Sequence, residues 1–369
     1  LSAQADERFM RLALALGRRG LGRVWPNPAV GCVIVAGGGD PGRIVGRGTT
    51  APGGRPHAET EALRMAGAAA RGATAYVTLE PCAHHGRTPP CAEALIAAGV
   101  ARVVTAIEDP DPRVSGRGHA MMRAAGIEVT TGVLAAEAAA DQRGFLTRVR
   151  QGRPMLTLKL AATLDGRIAT AAGESRWITA EAARLRVQLM RAASDAILVG
   201  GGTARADDPA LTVRLPGVAA RPVRIVASRG LDLPRGGVLW RAQGAPLWLL
   251  HGASAPAEAR AAWAGQGAEL IEVAEVAGGI DPGAMLAALG ARGIGRVLCE
   301  GGGQLAAALL GAGLVDRLAL FTAGAAIGAD GRAAVGPMGL AHLAAAPRFG
   351  LIGHEVLGGD VLSLWETPA

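Results

Sequence analysis

The sequence predicts a two-domain α/β protein, on three observations. Its 369 residues exceed the usual size of one domain and suffice for two, each with its own core. Short apolar runs of strand length alternate with stretches of helical period, the pattern of helices packed on sheets. The rhythm changes at Gln151-Gly152-Arg153-Pro154, which reads as a linker between one domain of residues 1–150 and another of residues 151–369.

In the first part, Phe9, Leu12, Leu14 and Leu16 predict a packing helix from Asp6 to Arg18, ended by Gly20 and Gly22. Trp25-Pro26-Asn27-Pro28 leads into strand-like runs at Val30–Val35 and Ile44–Gly48, a hairpin around a Gly- and Pro-rich turn at 37–42. Ala58 to Ala69 reads as a helix, with His57 and Glu59 at its first turn. Tyr76–Leu79 is a strand with Cys82 just past its end. Thr88-Pro89-Pro90 reads as a helix start with Thr88 as cap, so Cys91 opens a helix to Ala98. A strand at Val103–Ile107, a helix at Arg117–Ala125 and a strand at Ile127–Thr130 complete an α/β sandwich.

In the second part, strand-like runs at Met155–Ala161, Ala196–Val199, Val223–Val226, Leu247–Leu250, Leu270–Val273, Val297–Cys299 and Leu318–Thr322 alternate with helices. The helices are Ala180–Ala192, Pro256–Ala264, Pro282–Ala291 and Gln304–Leu310. Such alternation implies a mainly parallel sheet covered on both faces, to which Val361–Trp365 adds an antiparallel strand.

Composition narrows the function classes. No apolar run approaches the eighteen or so residues of a membrane helix. The N-terminus lacks a basic stretch followed by an apolar core, so a cytoplasmic location is expected. The net charge is +7 and the pI about 10.3, yet the arginines are scattered and aromatics are 3% of residues, which argues against a nucleic-acid surface. Lys159 is the only lysine and Asn27 the only asparagine, which makes both candidates for roles that Arg, Asp or Gln cannot fill.

The chemistry concentrates between His57 and Cys91. His57-Ala58-Glu59 followed by Pro81-Cys82 and Cys91 supplies one imidazole and two thiolates, enough for a tetrahedral Zn²⁺ with an open position. Such an ion lowers the pKa of water to about 7 and so favours hydrolytic attack on an amidine-type carbon, with a glutamate shuttling the proton. The general zinc-deaminase pattern has P-C-x-x-C, whereas here eight residues separate Cys82 from Cys91. That gap excludes a redox pair, and His84 or His85 within it either completes the zinc shell or faces the substrate. In the second part, Gly200-Gly201-Gly202-Thr203 and Glu300-Gly301-Gly302-Gly303 follow strands, where backbone amides suit an anionic ligand. G-x-G-x-x-G is absent. Beyond the first cluster, Arg205-Ala206-Asp207-Asp208 through Arg214 has the makings of a substrate loop.

Pro26-Asn27-Pro28-x-Val30-Gly31, His57-Ala58-Glu59, the run from Thr78 to Cys91, Leu164-Asp165-Gly166-Arg167, Gly173-Glu174-Ser175-x-Trp177-Ile178-Thr179, Asp207-Asp208-Pro209-x-Leu211-Thr212-x-Arg214 and Glu300-Gly301-Gly302 together resemble the bifunctional deaminase-reductases of riboflavin biosynthesis. The resemblance covers nearly the whole chain and accounts for the long cysteine loop. It implies a cytidine-deaminase-like α/β/α sandwich followed by a dihydrofolate-reductase-like α/β domain. It implies hydrolytic deamination of 2,5-diamino-6-ribosylamino-4(3H)-pyrimidinone 5′-phosphate with one Zn²⁺ per chain, then reduction of the ribosylamino group to ribitylamino with NADPH. It also implies a small phosphorylated pyrimidine as partner, neither nucleic acid nor membrane, and association into a homo-oligomer.

Carried onto this chain, the resemblance makes His57, Cys82 and Cys91 the zinc ligands, Glu59 the catalytic proton shuttle and Asn27 a pyrimidine contact. It places Ala161, Trp177, Thr203, Asp207, Gly302 and Gly303 against the cofactor, and Ser175, Arg191, Leu211, Arg214 and Glu300 against the substrate. Lys159, on the first strand of this half, joins the reduction site. Three places depart from the family pattern. Thr50 stands where histidine is common, Asp111 replaces an asparagine, and Ser228-Arg229 replaces an acid and a small hydroxyl residue, leaving Arg229 available for a 2′-phosphate. Two rival readings are a nucleic-acid deaminase and a deaminase whose second domain only senses a ligand.

Overall fold

A computed structural model describes residues 2–37, 42–86, 89–242 and 244–368; the expected cap Thr88 and the centre of the 37–42 turn lie outside the described residues. The chain divides into two compact units, Leu1–Gly152 and Arg153–Ala369.

The first unit runs α1 (Ala3–Arg18), β1 (Gly31–Ala36), β2 (Arg43–Thr49), α2 (Ala58–Ala66), β3 (Thr74–Val77), α3 (Cys91–Ala97), β4 (Arg102–Thr105), α4 (Arg117–Ala124), β5 (Glu128–Thr130) and α5 (Ala135–Gln151). The sheet order is β2-β1-β3-β4-β5, antiparallel across the first three strands and parallel from β3 to β5. Strand alternation sorts the core into two layers. Cys32, Ile34, Ala75, Val77 and Val103 face Ala58, Ala62, Ala92, Leu95 and Met122 of α2, α3 and α4. Val33, Val35, Tyr76 and Val104 face Phe9, Met10 and Leu14 of α1 and Ala138 of α5.

Two bare positions let α2 lie directly on β2. A Cβ at Gly46 would stand 2.2 Å from the Ala62 carbonyl oxygen, and one at Gly48 would stand 2.0 Å from that of Ala58. The first turn of α2 is thereby fixed against the sheet. Helix α5 was not expected from the sequence. Its Ala-rich start has little amphipathic contrast, and Gln151, read as linker, is its last residue, with Gly152 a left-handed cap at φ 70°.

The second unit runs β6 (Met155–Thr163), β7 (Arg167–Ala169), α6 (Glu181–Ala192), β8 (Ala196–Gly200), α7 (Gly201–Asp207), β9 (Val223–Ala227), α8 (Val238–Arg241), β10 (Leu247–His251), α9 (Ala257–Gly265), β11 (Glu269–Glu272), β12 (Glu275–Val276), β13 (Gly279–Ile280), α10 (Pro282–Ala291), β14 (Arg296–Cys299), α11 (Gly303–Gly311), β15 (Arg317–Ala323), β16 (Arg332–Ala333), β17 (Gly350–Leu357) and β18 (Asp360–Glu366). Nine strands form one sheet in the order β11-β10-β9-β8-β14-β6-β15-β18-β17. It is parallel from β11 to β15, and β18 and β17 close one edge antiparallel. The expected antiparallel strand at Val361–Trp365 is β18. The edge strand β17 was not anticipated, because its apolar residues Leu351, Ile352 and Val356 are exposed rather than packed in a core. Neighbouring β8 and β14 end side by side, which brings both glycine clusters to one rim of the sheet.

Candidate active sites

His57 is the N-cap of α2 and Cys91 the first residue of α3, so two helix starts carry donors to one point. The Cys91 N–H donates to Cys82 Sγ at 3.3 Å, and His57 Nδ1 lies 3.7 Å from Cys82 Sγ and 3.3 Å from Cys91 Sγ. All three donor atoms fall within 4.8 Å of one another, and two thiolates with one imidazole are a fitting set for zinc. A hydrogen bond from the Cys91 thiol, helped by one from His57, holds the Cys82 thiol down to about 4. Sharing that proton with Cys82, and burial, push the Cys91 thiol up. The hydrogen bond to Cys82 raises His57. Zinc capture must therefore displace protons held by Cys91 and His57, so apparent zinc affinity is expected to climb as pH rises. Competition titrations with a zinc indicator at several pH values check this; a pH-independent affinity would count against the ligand set.

Glu59, in the first turn of α2, is 4% exposed, and burial, followed by the Cys82 charge, raises its carboxyl to about 7. A carboxyl so poised both takes and returns a proton near neutral pH. The site opens into a cavity of about 330 Å³ lined by Asn27, Thr50, Arg55, His57, Glu59, Cys82, His84, Asp109, Asp111 and Arg113, with Phe145, Arg148 and Val149 from α5. Asn27 donates to the Gly54 carbonyl at 2.6 Å and stands 3.3 Å from His57 Nε2, so it buttresses the ligand ring as well as lining the cavity. Thr50 is buried, accepting from the Val30 N–H and donating to the Pro28 carbonyl, both at 3.0 Å. The Asp111 carboxylate is held by the Arg113 guanidinium at 2.5 Å. His84 lines the cavity, whereas exposed His85 turns to Glu93 at 3.4 Å. Neither joins the three metal donors.

In the second unit the two glycine clusters meet. Gly302 has φ 80°, and a Cβ there would stand 2.8 Å from Thr203 Oγ1, so bare backbone forms a cradle between the start of α7 and that of α11. Beside it, Arg191 grips Glu300 through two bonds of 2.6 and 2.9 Å and donates to the Thr212 carbonyl at 2.9 Å. Burial raises the Glu300 carboxyl, but the charges of Arg191, Lys159 and Arg214 outweigh it and the pKa is lowered. Lys159, half-buried on β6 with Nζ 5.8 Å from the Phe321 ring centre, is lowered by burial. Four of the residues expected at the substrate thus gather at one place.

The remaining expected contacts divide. Ala161 sits on β6 opposite Phe321 of β15. Trp177 is 70% exposed beneath Arg184, and its neighbour Arg176 reaches the Asp207 carbonyl at 3.4 Å, which ties the half-buried Ser175 segment to the end of α7. The loop read from Arg205 onward begins inside α7. Leu211 is buried at 1%, with φ 51°, and packs with Ile197, Val226 and Leu249, so only its backbone can meet a ligand. Asp208 accepts from the Val238 and Leu239 N–H groups at the start of α8. Ser228 is buried against Gly201, and Arg229 lies 4.0 Å from Glu275.

The His-Cys-Cys donor set beside a buried glutamate is that of a zinc-binding deaminase, and the glycine cradle at the strand ends of the second sheet suits an anionic ligand. The family model of the cytidine and deoxycytidylate deaminase zinc-binding region matches residues 3–107, and that of the RibD C-terminal domain matches residues 154–363. Riboflavin biosynthesis protein RibD of Escherichia coli (strain K12) is 45% identical over 369 residues, covering 96% of this chain and 98% of that protein. The structure of Acinetobacter baumannii RibD, form 1, superposes with a TM-score of 0.89 at 38% identity, covering 100% of both chains. A Thermotoga maritima structure described as a diaminohydroxyphosphoribosylaminopyrimidine deaminase/5-amino-6-(5-phosphoribosylamino)uracil reductase has a TM-score of 0.85 at 34% identity, covering 99% of both. The chain belongs to the RibD family of bifunctional riboflavin-biosynthesis deaminase-reductases. Zinc serves its deaminase half and NADPH its reductase half.

Proposed function

We propose that the unit Leu1–Gly152 hydrolyses the 2-amino group of 2,5-diamino-6-ribosylamino-4(3H)-pyrimidinone 5′-phosphate, and that Arg153–Ala369 then reduces the ribosylamino group to ribitylamino. The observation that carries this is the convergence of His57 Nδ1, Cys82 Sγ and Cys91 Sγ beside buried Glu59 at the wall of a cavity. A volume of about 330 Å³ suits a small ligand rather than a polynucleotide.

His57, Cys82 and Cys91 would hold the zinc, which when bound would supply a Lewis acid able to activate water at neutral pH. Glu59 takes the proton of the attacking water and returns it to the departing amine. Asn27 fixes the His57 ring and faces the pyrimidine. In the second unit NADPH, when bound, would supply the hydride. Thr203, Gly302 and Gly303 of the cradle would hold it, together with Ala161, Trp177 and Asp207. Arg191, Arg214 and Lys159 place cationic groups around Glu300 for the substrate phosphate and the imine-like C1′ of the opened sugar, Ser175 and the Leu211 backbone completing the contacts. Removing zinc with a chelator is expected to stop ammonia release while NADPH oxidation with the deaminated intermediate continues. If both stop together in folded protein, the division of labour is wrong; if NADPH is not oxidised at all, the second unit is a ligand sensor.

The protein is further proposed to be a cytoplasmic homo-oligomer. Unpaired thiols at Cys32, Cys82, Cys91 and Cys299 suit a reducing compartment. The edge strand β17 exposes Leu351, Ile352 and Val356, and an exposed apolar edge strand invites a second copy. Light scattering should report more than one chain per particle, and Val356→Lys should reduce it; a monomer at micromolar concentration would refute this.

A further inference from the structure

We propose that Glu80 is a positioning residue for deamination, pinning the segment 109–119 as one wall of the zinc cavity; this rests on the deaminase reading of the first unit. Glu80 is 3% exposed and precedes the metal ligand Cys82 on the same turn. Its carboxylate accepts from four backbone N–H groups: Asp109 at 3.3 Å, Gly116 at 3.0 Å, Gly118 at 2.9 Å and His119 at 3.2 Å. Three of these donors open α4, whose N-cap Gly116 has no capping side chain of its own. The fourth lies at the other end of the loop. One carboxylate therefore closes both ends of a segment that contributes Asp109, Asp111, Arg113 and Val114 to the cavity.

The neighbouring residues are shaped for this clasp. A Cβ at Gly118 would stand 2.1 Å from the Pro81 carbonyl and 3.2 Å from Glu80 Oε1, so only glycine lets α4 reach the carboxylate. Glu80, Glu108 and His119 have donor atoms close enough to suggest a second metal, but the oxygens of Glu80 already face four N–H groups. A buried carboxylate satisfied in this way fixes backbone rather than binding a cation. The consequence is that the turn carrying Cys82 and the opposite wall are built as one piece, which sets where a substrate lies relative to the metal.

The test compares Glu80→Gln and Gly118→Ala with the wild type by steady-state ammonia release, zinc content and hydrogen exchange. Glutamine keeps the shape but turns an NH₂ toward N–H donors. Both variants are expected to raise KM for deamination about tenfold, with kcat within about threefold, because loosened substrate placement acts on binding. Zinc should stay at about one per chain as in the parent, exchange at amides 109, 116, 118 and 119 should quicken, and NADPH oxidation should hold. A loss of zinc, a fall in kcat with KM unchanged, or wild-type exchange at those amides would overturn the proposal. If Glu80→Gln does not fold, Gly118→Ala decides by the same split. A wild-type protein that released no ammonia would defeat the deaminase reading, while the exchange measurement would still judge the clasp.

Discussion

Glu59→Gln is expected to lower kcat for ammonia release by about 10²–10⁴-fold, the usual worth of a positioned acid–base group, while zinc content and NADPH oxidation stay at parental values. The substitution is nearly isosteric, and Glu59 is 4% exposed in the first turn of α2, so the amide fits where the carboxyl was. His57, Cys82 and Cys91 all remain, and the amide keeps a polar group beside the Cys91 thiol. What disappears is a group raised to about 7 by burial and the Cys82 charge, able to hold a proton in one half of the reaction and release it in the other. A buried carboxyl that merely packed would leave kcat within a few fold when replaced by its amide. That outcome, with zinc still bound, would move the proton-shuttle role elsewhere.

The convergence of His57, Cys82 and Cys91 beside Glu59 was legible in the sequence because its signal is local: each residue sits at a helix start or strand end that Gly, Pro and apolar period announce. The parallel strands β6, β8, β9, β10, β11, β14 and β15 of the second unit were legible for the same reason. What escaped depends on contacts between distant segments. Phe145, Arg148 and Val149 reach the cavity from α5, a helix whose alanine-rich sequence shows little amphipathic contrast. Glu80 lies inside a motif read for its cysteines, and nothing in its spacing marks the amides it meets 29 to 39 positions later. Asp208 and Leu211 also carry structural roles that their motif does not announce, one carboxylate meeting the start of α8 and one side chain packing in the core. The exposed edge β17 carries an apolar sequence that no core in the single chain explains.

Lys159 shows how composition and geometry reinforce each other. The one lysine of the chain lies on β6, and Glu300 and Arg191 both act on its charge. Arg191 alone already satisfies Glu300 through two short bonds, so a second cation is not needed to neutralise that carboxylate. Burial disfavours the charged lysine, a cost that a purely structural position would avoid with an apolar residue. A compact ammonium beside the Arg191–Glu300 pair is instead suited to the charge that shifts at C1′ as the imine-like centre is reduced. Lys159→Met is therefore expected to lower kcat/KM for NADPH oxidation by about 10²-fold, comparable with removing one preorganised electrostatic group. NADPH affinity, followed by its fluorescence, should change little, and ammonia release should not change. Lys159→Arg should fail to restore the rate, since a planar guanidinium cannot replace a point charge in a packed strand. Loss of NADPH binding in step with the rate would make Lys159 a cofactor contact, and an unchanged rate would leave its charge without a catalytic purpose.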